Sequence, residues 1–180
     1  MNFSNEYPLS ASVNAQDHLQ GSPNAQITLV EYGDYQCPYC GQAYPIVKKM
    51  QEAFGDKLCF VFRNFPLSQI HEHAFAAAEA AEVADDYGKF WEMHDTLYEH
   101  QRHLDLPHLM QYAQDLGIDA QEFVEKLRNN EKAQRVKTDF MSGVESGVNG
   151  TPSFYINNYK YDGPWDYNSL HKVIEAILAH

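Results

Sequence analysis

The sequence predicts an α/β fold interrupted by an all-helical block, and three observations carry that prediction. Two short runs rich in apolar and β-branched residues, Ile27–Tyr32 and Leu58–Phe62, flank a stretch with helical spacing. Helical patterns then run almost unbroken from residue 66 to 149. Strand signals return at Ser153-Phe154-Tyr155-Ile156, and an amphipathic helix follows. The layout is β-α-β, a helical block, then β-β-α, in a chain of 180 residues that is long enough for a sizeable core.

Taken in order, residues 1–26 are mostly polar, with a turn at Gly21-Ser22-Pro23-Asn24, and read as a loosely attached lead-in. The run Ile27-Thr28-Leu29-Val30-Glu31-Tyr32 is too continuous for a one-sided strand, so burial on both faces is expected. Gly33-Asp34 ends it, Cys37-Pro38-Tyr39-Cys40 follows, and a helix is predicted to about Phe54. Tyr44, Val47, Met50 and Phe54 recur along that helix, Pro45 lies inside it, and Gly55 closes it. Leu58-Cys59-Phe60-Val61-Phe62 reads as a second buried strand.

The helical block divides at its glycines. Helices are predicted over Glu72–Tyr87, Phe90 to about His100, and Leu106–Leu116, with stops at Gly88 and Gly117. Asp119 and Glu122 resemble a capping box for a fourth, with Phe123 and Leu127 facing inward. A fifth places Val136, Phe140 and Val144 four apart and stops at Gly147. Asn157-Asn158 then makes a turn between Ser153–Ile156 and a partner strand, Tyr159-Lys160-Tyr161. Leu170, Val173, Ile174, Ile177 and Leu178 give the final helix its apolar stripe.

Composition narrows the function classes. A formal net charge of −12 with no basic block argues against nucleic acid, whose phosphates would be repelled, and against anionic membrane surfaces. No window approaches the roughly 20 apolar residues that span a bilayer. The first residues carry neither a basic cluster nor an apolar run, so no secretory signal is read there and a cytoplasmic protein is expected. The three cysteines, Cys37, Cys40 and Cys59, cannot close a disulfide framework. In a reducing compartment a close pair of thiols points to catalysis or metal binding.

Cys37 and Cys40 stand two residues apart where a helix begins. Unpaired backbone N–H groups and the positive end of the helix dipole favour thiolate over thiol at that place, which makes the sulfur a better nucleophile and leaving group. Cys37 is expected to be the exposed attacking sulfur. Cys40, one turn in, is expected to be shielded and to resolve the mixed disulfide. Structural zinc is the rival reading, but it needs four ligands and there is no second Cys-x-x-Cys. Glu31, six positions before Cys37, is the candidate buried acid that takes and returns the resolving thiol's proton. Thr151-Pro152 precedes a strand, and a cis proline there would offer the backbone of Thr151 to an extended substrate chain.

The segment Tyr32-Gly33-Asp34-Tyr35-Gln36-Cys37-Pro38-Tyr39-Cys40 resembles the active-site segment of the DsbA-like branch of the thioredoxin superfamily. Gly150-Thr151-Pro152-Ser153-Phe154-Tyr155-Ile156-Asn157 resembles that family's cis-proline strand. The likeness covers about residues 17–180. It implies a thioredoxin-like fold, a central mixed β-sheet flanked by helices, with an inserted all-helical domain. The thioredoxin-like domain would comprise residues 1–65 and 148–180, and the insert residues 66–147.

By the same resemblance, Cys37 is the nucleophile, Cys40 the resolving cysteine, Glu31 the buried acid and Pro152 the cis proline. Thr151, Pro38 and Tyr39 would meet the substrate, and Pro45 matches the proline in thioredoxin active-site helices. The implied activity is thiol–disulfide exchange with protein, peptide or low-molecular-weight substrates. It needs no metal and no bound organic cofactor, with glutathione or a thioredoxin-type reductant as electron partner. Pro-Tyr between the cysteines, as in glutaredoxins, replaces the Pro-His of strongly oxidising DsbA proteins and implies a less oxidising couple. Two other readings stand beside it: a glutathione-dependent transferase or isomerase on a DsbA-like scaffold, and a metal-binding or docking module in which the pair is structural.

Other residues receive plainer readings. Cys59, mid-strand, is a small buried hydrophobe. His71 and His73 stand two apart on a helix start, point to different faces, and read as surface rather than metal ligands. Tyr39 is expected to be exposed, and Tyr32, Tyr35 and Tyr44 to pack. Trp91 and Trp165 read as core or domain-junction residues. The acidic residues of the helical block read as a solvated face.

Overall fold

The computed structural model of the protein describes residues 3–180, so Met1 and Asn2, the start of the predicted lead-in, lie outside the described residues. Contacts divide the chain into two compact units. A sheet unit holds the residues up to Gly33, Gln42–Arg63 and Met141–His180, and a helical unit holds Asp34–Gly41 and Asn64–Phe140.

The sheet has six strands: β1 (Phe3–Pro8), β2 (His18–Gly21), β3 (Ile27–Gly33), β4 (Leu58–Asn64), β5 (Ser153–Ile156) and β6 (Tyr159–Tyr161). Their spatial order is β1-β6-β5-β3-β4-β2. β3 and β4 are neighbours joined through a helical crossover, the connection that parallel strands require, whereas β1–β6, β6–β5, β5–β3 and β4–β2 pair antiparallel. The sheet is therefore mixed. β3 and β4 are central, and their burial on both faces is why their sequences run apolar without alternation.

The lead-in is no loose tail. β1 and β2 are the two edge strands of the sheet, which corrects the reading of residues 1–26. β2 sets His18 against Phe62 and Gly21 against Cys59. A side chain at Gly21 would press on the Leu58 carbonyl oxygen at 2.5 Å, and its φ of +104° suits glycine. Asp17 holds the same segment to β4 through Arg63, whose Nε and Nη2 donate to the carboxylate at 2.8 and 3.0 Å. Nη1 of Arg63 also donates to the Ala11 carbonyl and the Tyr32 hydroxyl, both at 2.9 Å. Burial alone would pull the guanidinium down, but the hydrogen bonds to Asp17 and Tyr32 and their charges carry it above its ordinary value. The predicted Asn157-Asn158 turn has both residues at positive φ, 48° and 73°, as a tight two-residue hairpin needs. Asn157 also ties the turn to β3, with its Oδ1 accepting from the Thr28 N–H at 2.8 Å.

The described residues also form seven α-helices: α1 (Pro38–Phe54), α2 (Ala74–Asp85), α3 (Phe90–Glu99), α4 (Leu106–Asp115), α5 (Ala120–Arg128), α6 (Ala133–Glu145) and α7 (Tyr167–Leu178). α1 runs through Pro45 and ends at Gly55, which opens a short 3₁₀ turn to Lys57. α7 is capped by Asp166, whose side chain accepts from the Ser169 N–H, and it buries Leu170 and Ile174 fully.

Within the helical unit α2 packs on α3, α4 and α5. Its alanines explain how: Ala74, Ala77, Ala80, Ala81 and Ala84 are all fully buried, and small side chains let neighbouring helices approach closely. Asp119 caps α5, with its side chain accepting from the Glu122 N–H at 2.8 Å. α6 buries Val136, Asp139 and Gly143, whereas Val144 is exposed, so the apolar spacing marked the helix and misjudged its inner face by one residue.

Three acidic residues of the predicted helical block are buried rather than solvated: Glu79, Glu82 and Asp139. Asn64 explains two of them, since its Nδ2 donates to Glu82 at 2.7 Å and its backbone N–H to Asp139 at 3.0 Å. Arg135 pairs with Asp139 from one turn away. Burial pushes the Asp139 carboxyl up, opposed by Arg135 and the Asn64 N–H. Trp91 and Trp165, read as core or domain-junction residues, are half-buried, so neither is a core residue.

Candidate active site

The two cysteines occupy the N-terminal turn of α1. Pro38 begins the helix, where a missing N–H costs nothing, and the Gly41 N–H donates to the Cys37 carbonyl at 3.1 Å as the first rung. No acidic residue occupies the first turn, so no negative side chain of the helix itself opposes its positive end. Cys40 is fully buried as expected. Cys37 is not the open sulfur predicted: the residue is only 4% exposed, while its neighbours Pro38 and Tyr39 face outward, Tyr39 at 61%. The turn before the helix folds around it, with the Cys37 N–H donating to the Asp34 carbonyl at 3.1 Å and its carbonyl engaged by Gln101.

Asp34 is the hub of that turn. Its side chain is fully buried. One carboxylate oxygen accepts the N–H groups of Gln36 and Cys37 at 2.7 and 3.2 Å. The other accepts the Leu67 N–H at 2.9 Å and meets His71 Nδ1 at 2.7 Å. The Asp34 N–H points to Cys40 Sγ at 3.5 Å. A buried carboxylate needs such partners, because its loss of water is otherwise uncompensated.

His71 is thus turned onto Asp34, with 16% of its side chain exposed, and is more than the surface residue it was taken for. The next helix is latched to the same turn, with the His73 N–H donating to Gln36 Oε1 at 2.7 Å. Gln101, from the α3–α4 connection, donates to the Tyr35 and Cys37 carbonyls at 2.8 and 2.9 Å. A Cβ on Gly41 would strike the Gln101 side chain, so that position is kept empty for it. Tyr35, itself buried, meets His94 Nδ1 through its hydroxyl at 3.0 Å and packs on Tyr98.

Sequence reasoning missed Asp34, His71 and Gln101. An Asp whose side chain serves the N–H groups two and three residues on is a recognisable turn signal, and Asp34 had it. Nothing in the sequence brings His71 or Gln101 to that place.

Glu31 and Thr151–Pro152 belong to the sheet unit, where antiparallel pairing of β3 with β5 brings them near one another. Glu31 stands opposite Phe154 and Tyr32 opposite Ser153. Glu31 is buried at 2% exposure. The Thr151–Pro152 peptide bond is cis. Thr151 and Pro152 are half-buried, and Ser153 closes the turn by donating to the Gly150 carbonyl at 2.7 Å. Cys59 is buried in β4, and burial pushes its thiol up. Among the described residues, no group of three or more His, Cys, Asp or Glu is arranged to hold a metal ion. No described helix is long and apolar enough to cross a membrane.

Comparison with known proteins gives the same picture of the fold. A family model described as Thioredoxin matches residues 13–176. The oxidised form of BdbD from Bacillus subtilis is 26% identical, with a TM-score of 0.84 over 97% of this chain and 100% of that one. A thioredoxin-like oxidoreductase from Silicibacter pomeroyi shares the fold at 24% identity, TM-score 0.81, over 93% of this chain and 95% of the other. Wolbachia pipientis alpha-DsbA1 shares it at 20% identity with the same TM-score, over 93% of each chain. Among curated proteins, the Na(+)/H(+) antiporter NhaA 1 of Salinispora arenicola is 40% identical over 164 residues, which are 91% of this chain and 25% of that protein. Its namesake in Mycobacterium sp. (strain KMS) is 39% identical over 163 residues, 89% of this chain and 27% of that one. This chain therefore spans about a quarter of the length of these relatives.

Proposed function

The chain belongs to the thioredoxin family, and on that premise we propose that it is a thiol–disulfide oxidoreductase working through Cys37 and Cys40. The observation that carries this reading is the seating of both sulfurs in the first turn of α1, with the Asp34 N–H on the buried one.

In the reducing direction, the Cys37 thiolate attacks one sulfur of a substrate disulfide. A Cys37–substrate disulfide forms and the other substrate sulfur leaves as a thiolate. Cys40 then gives up its proton and attacks Cys37 Sγ, which expels the second substrate thiolate. The products are a Cys37–Cys40 disulfide and two substrate thiols, which take up two protons as two electrons pass to them. Two glutathione molecules or a thioredoxin-type dithiol would return the pair to its reduced form. We assign Glu31 to the Cys40 proton, the Thr151–Pro152 backbone to an extended substrate segment, and exposed Pro38 and Tyr39 to contact with that substrate. Protein or peptide disulfides are the substrate class. Three cysteines, which cannot close a disulfide framework, suit a cytoplasmic setting, which fractionation of the source cell tests.

Cys37→Ser and Cys40→Ser test the reading. Cys37→Ser should abolish reduction of a protein disulfide, and Cys40→Ser should accumulate a mixed disulfide on Cys37, visible by intact mass. Activity that survives Cys40→Ser would favour a glutathione-dependent transferase or isomerase, and stoichiometric zinc in the purified protein would favour a metal or docking module. Direction follows from the potential of the pair in glutathione buffers. A value below about −250 mV makes it a reductant in the cytosol, and one above about −200 mV an oxidant or isomerase.

A further inference from the structure

We propose that Asp34 and His71 form a charge-compensated pair that sets the redox balance of Cys37 and Cys40. This rests on the oxidoreductase reading and deepens it. The Asp34 carboxylate is fully shielded from water and lies 3.2 Å from the Cys37 N–H, in the same turn whose first N–H reaches Cys40 Sγ. A lone negative charge there opposes a thiolate at either sulfur, since like charges at short range and low dielectric raise the cost of ionisation. His71 answers it. Its Nδ1 lies 2.7 Å from the carboxylate oxygen that does not serve the cysteine turn, so an imidazolium cancels the charge without disturbing the bonds to Gln36 and Cys37.

The imidazole is held for that task. The His71 N–H donates to the Leu67 carbonyl at 2.9 Å, and the Leu67 N–H donates to the same Asp34 oxygen, so one short turn presents both donors. Neither Asp34 nor His71 needs to touch substrate. Both are positioning residues that act through the Cys37 turn, and their effect is electrostatic. Stabilising the thiolate favours the reduced form and makes the couple more oxidising. Removing the positive partner must therefore push the balance toward the disulfide, and removing the negative one must push it toward the dithiol.

The test compares wild type, His71→Asn and Asp34→Asn at one pH in glutathione buffers, with alkylation and intact mass to count thiols. Asparagine at 71 keeps a donor where Nδ1 stands and cannot carry charge. His71→Asn should shift the equilibrium about tenfold toward the disulfide, about 30 mV more negative. Asp34→Asn should shift it the other way. A purely structural role would not give opposite signs. If Asp34→Asn fails to fold, His71→Asn alone decides: a shift of threefold or more toward the disulfide supports the pair, and a smaller or opposite shift overturns it. Wild type that forms no Cys37–Cys40 disulfide at any poise would overturn the oxidoreductase reading itself, before any variant is compared.

Discussion

Asp17→Ala should destabilise the sheet unit by about 3–5 kcal/mol, the range for breaking a buried ion pair. The pair is buried on both sides, with side-chain exposures of 3% for Arg63 and 4% for Asp17. Removing the carboxylate deletes two charge-assisted hydrogen bonds, at 2.8 and 3.0 Å, each worth about 1.5–3 kcal/mol. It also frees the Asn14 N–H, which donates to Asp17 at 2.9 Å. Arg63 keeps its bonds to the Ala11 carbonyl and Tyr32 hydroxyl, and these hold the loss within that range. At a urea slope of about 2 kcal/mol/M, the midpoint should fall by about 2 M. Trp165 belongs to the sheet unit and Trp91 to the helical unit, so a Trp91→Phe background lets fluorescence follow the unit that contains the pair. Arg63→Met combined with Asp17→Ala should cost less than the sum of the single changes, because no charge is left stranded. A loss below 1 kcal/mol for Asp17→Ala, or strict additivity in the double variant, would refute the view that this pair fastens the N-terminal segment to β4.

Three more outcomes are expected. Iodoacetamide should leave Cys59 unmodified in the folded protein, since it is buried and its thiol is pushed up, and should label it once urea unfolds the chain; labelling at a rate equal to Cys37 would contradict this. Glu79 is pushed up by burial, opposed by a backbone hydrogen bond with Lys132 and the charge of Lys137. The folded state therefore binds the Glu79 proton more tightly than the unfolded chain does, and the contribution of this group to stability should be lost as pH rises from about 4.5 through the raised value. Glu79→Gln should flatten that slope in urea titrations at pH 4.5 and 7.5, and an unchanged slope would count against it. Gly41→Ala should displace the Gln101 side chain from the Tyr35 and Cys37 carbonyls, lowering the rate of disulfide exchange with little loss of stability; wild-type rates would show that Gln101 is idle.

Central elements were legible in the sequence because their surroundings are one-sided in chemistry. β3 and β4 are buried on both faces, so their runs of apolar residues announced them, and α7 carried an unbroken stripe. Edge strands lack that signature. His18-Leu19-Gln20-Gly21 pairs with one neighbour only, so its polar residues are permitted and its pattern reads as loop. Glu79, Glu82 and Asp139 were misjudged because their partners Asn64 and Lys132 come from elsewhere in the unit, and charge on a helix normally marks a wet face. The dithiol could be read from spacing, but its control could not. Asp34 lies three residues before Cys37, whereas His71 arrives from 37 residues beyond Asp34.

The placement of β1 and β2 has a consequence for the order of assembly. Both borders of the sheet are drawn from the first 21 residues, yet the strand that β1 borders, β6, lies some 150 residues further along the chain. The first strand must wait, unpaired, through the synthesis of some 150 residues, because closing that border is among the longest loops the chain makes. A nascent chain thus carries an open sheet border until β6 is made, and any partner that pairs strands would have its opportunity in that interval.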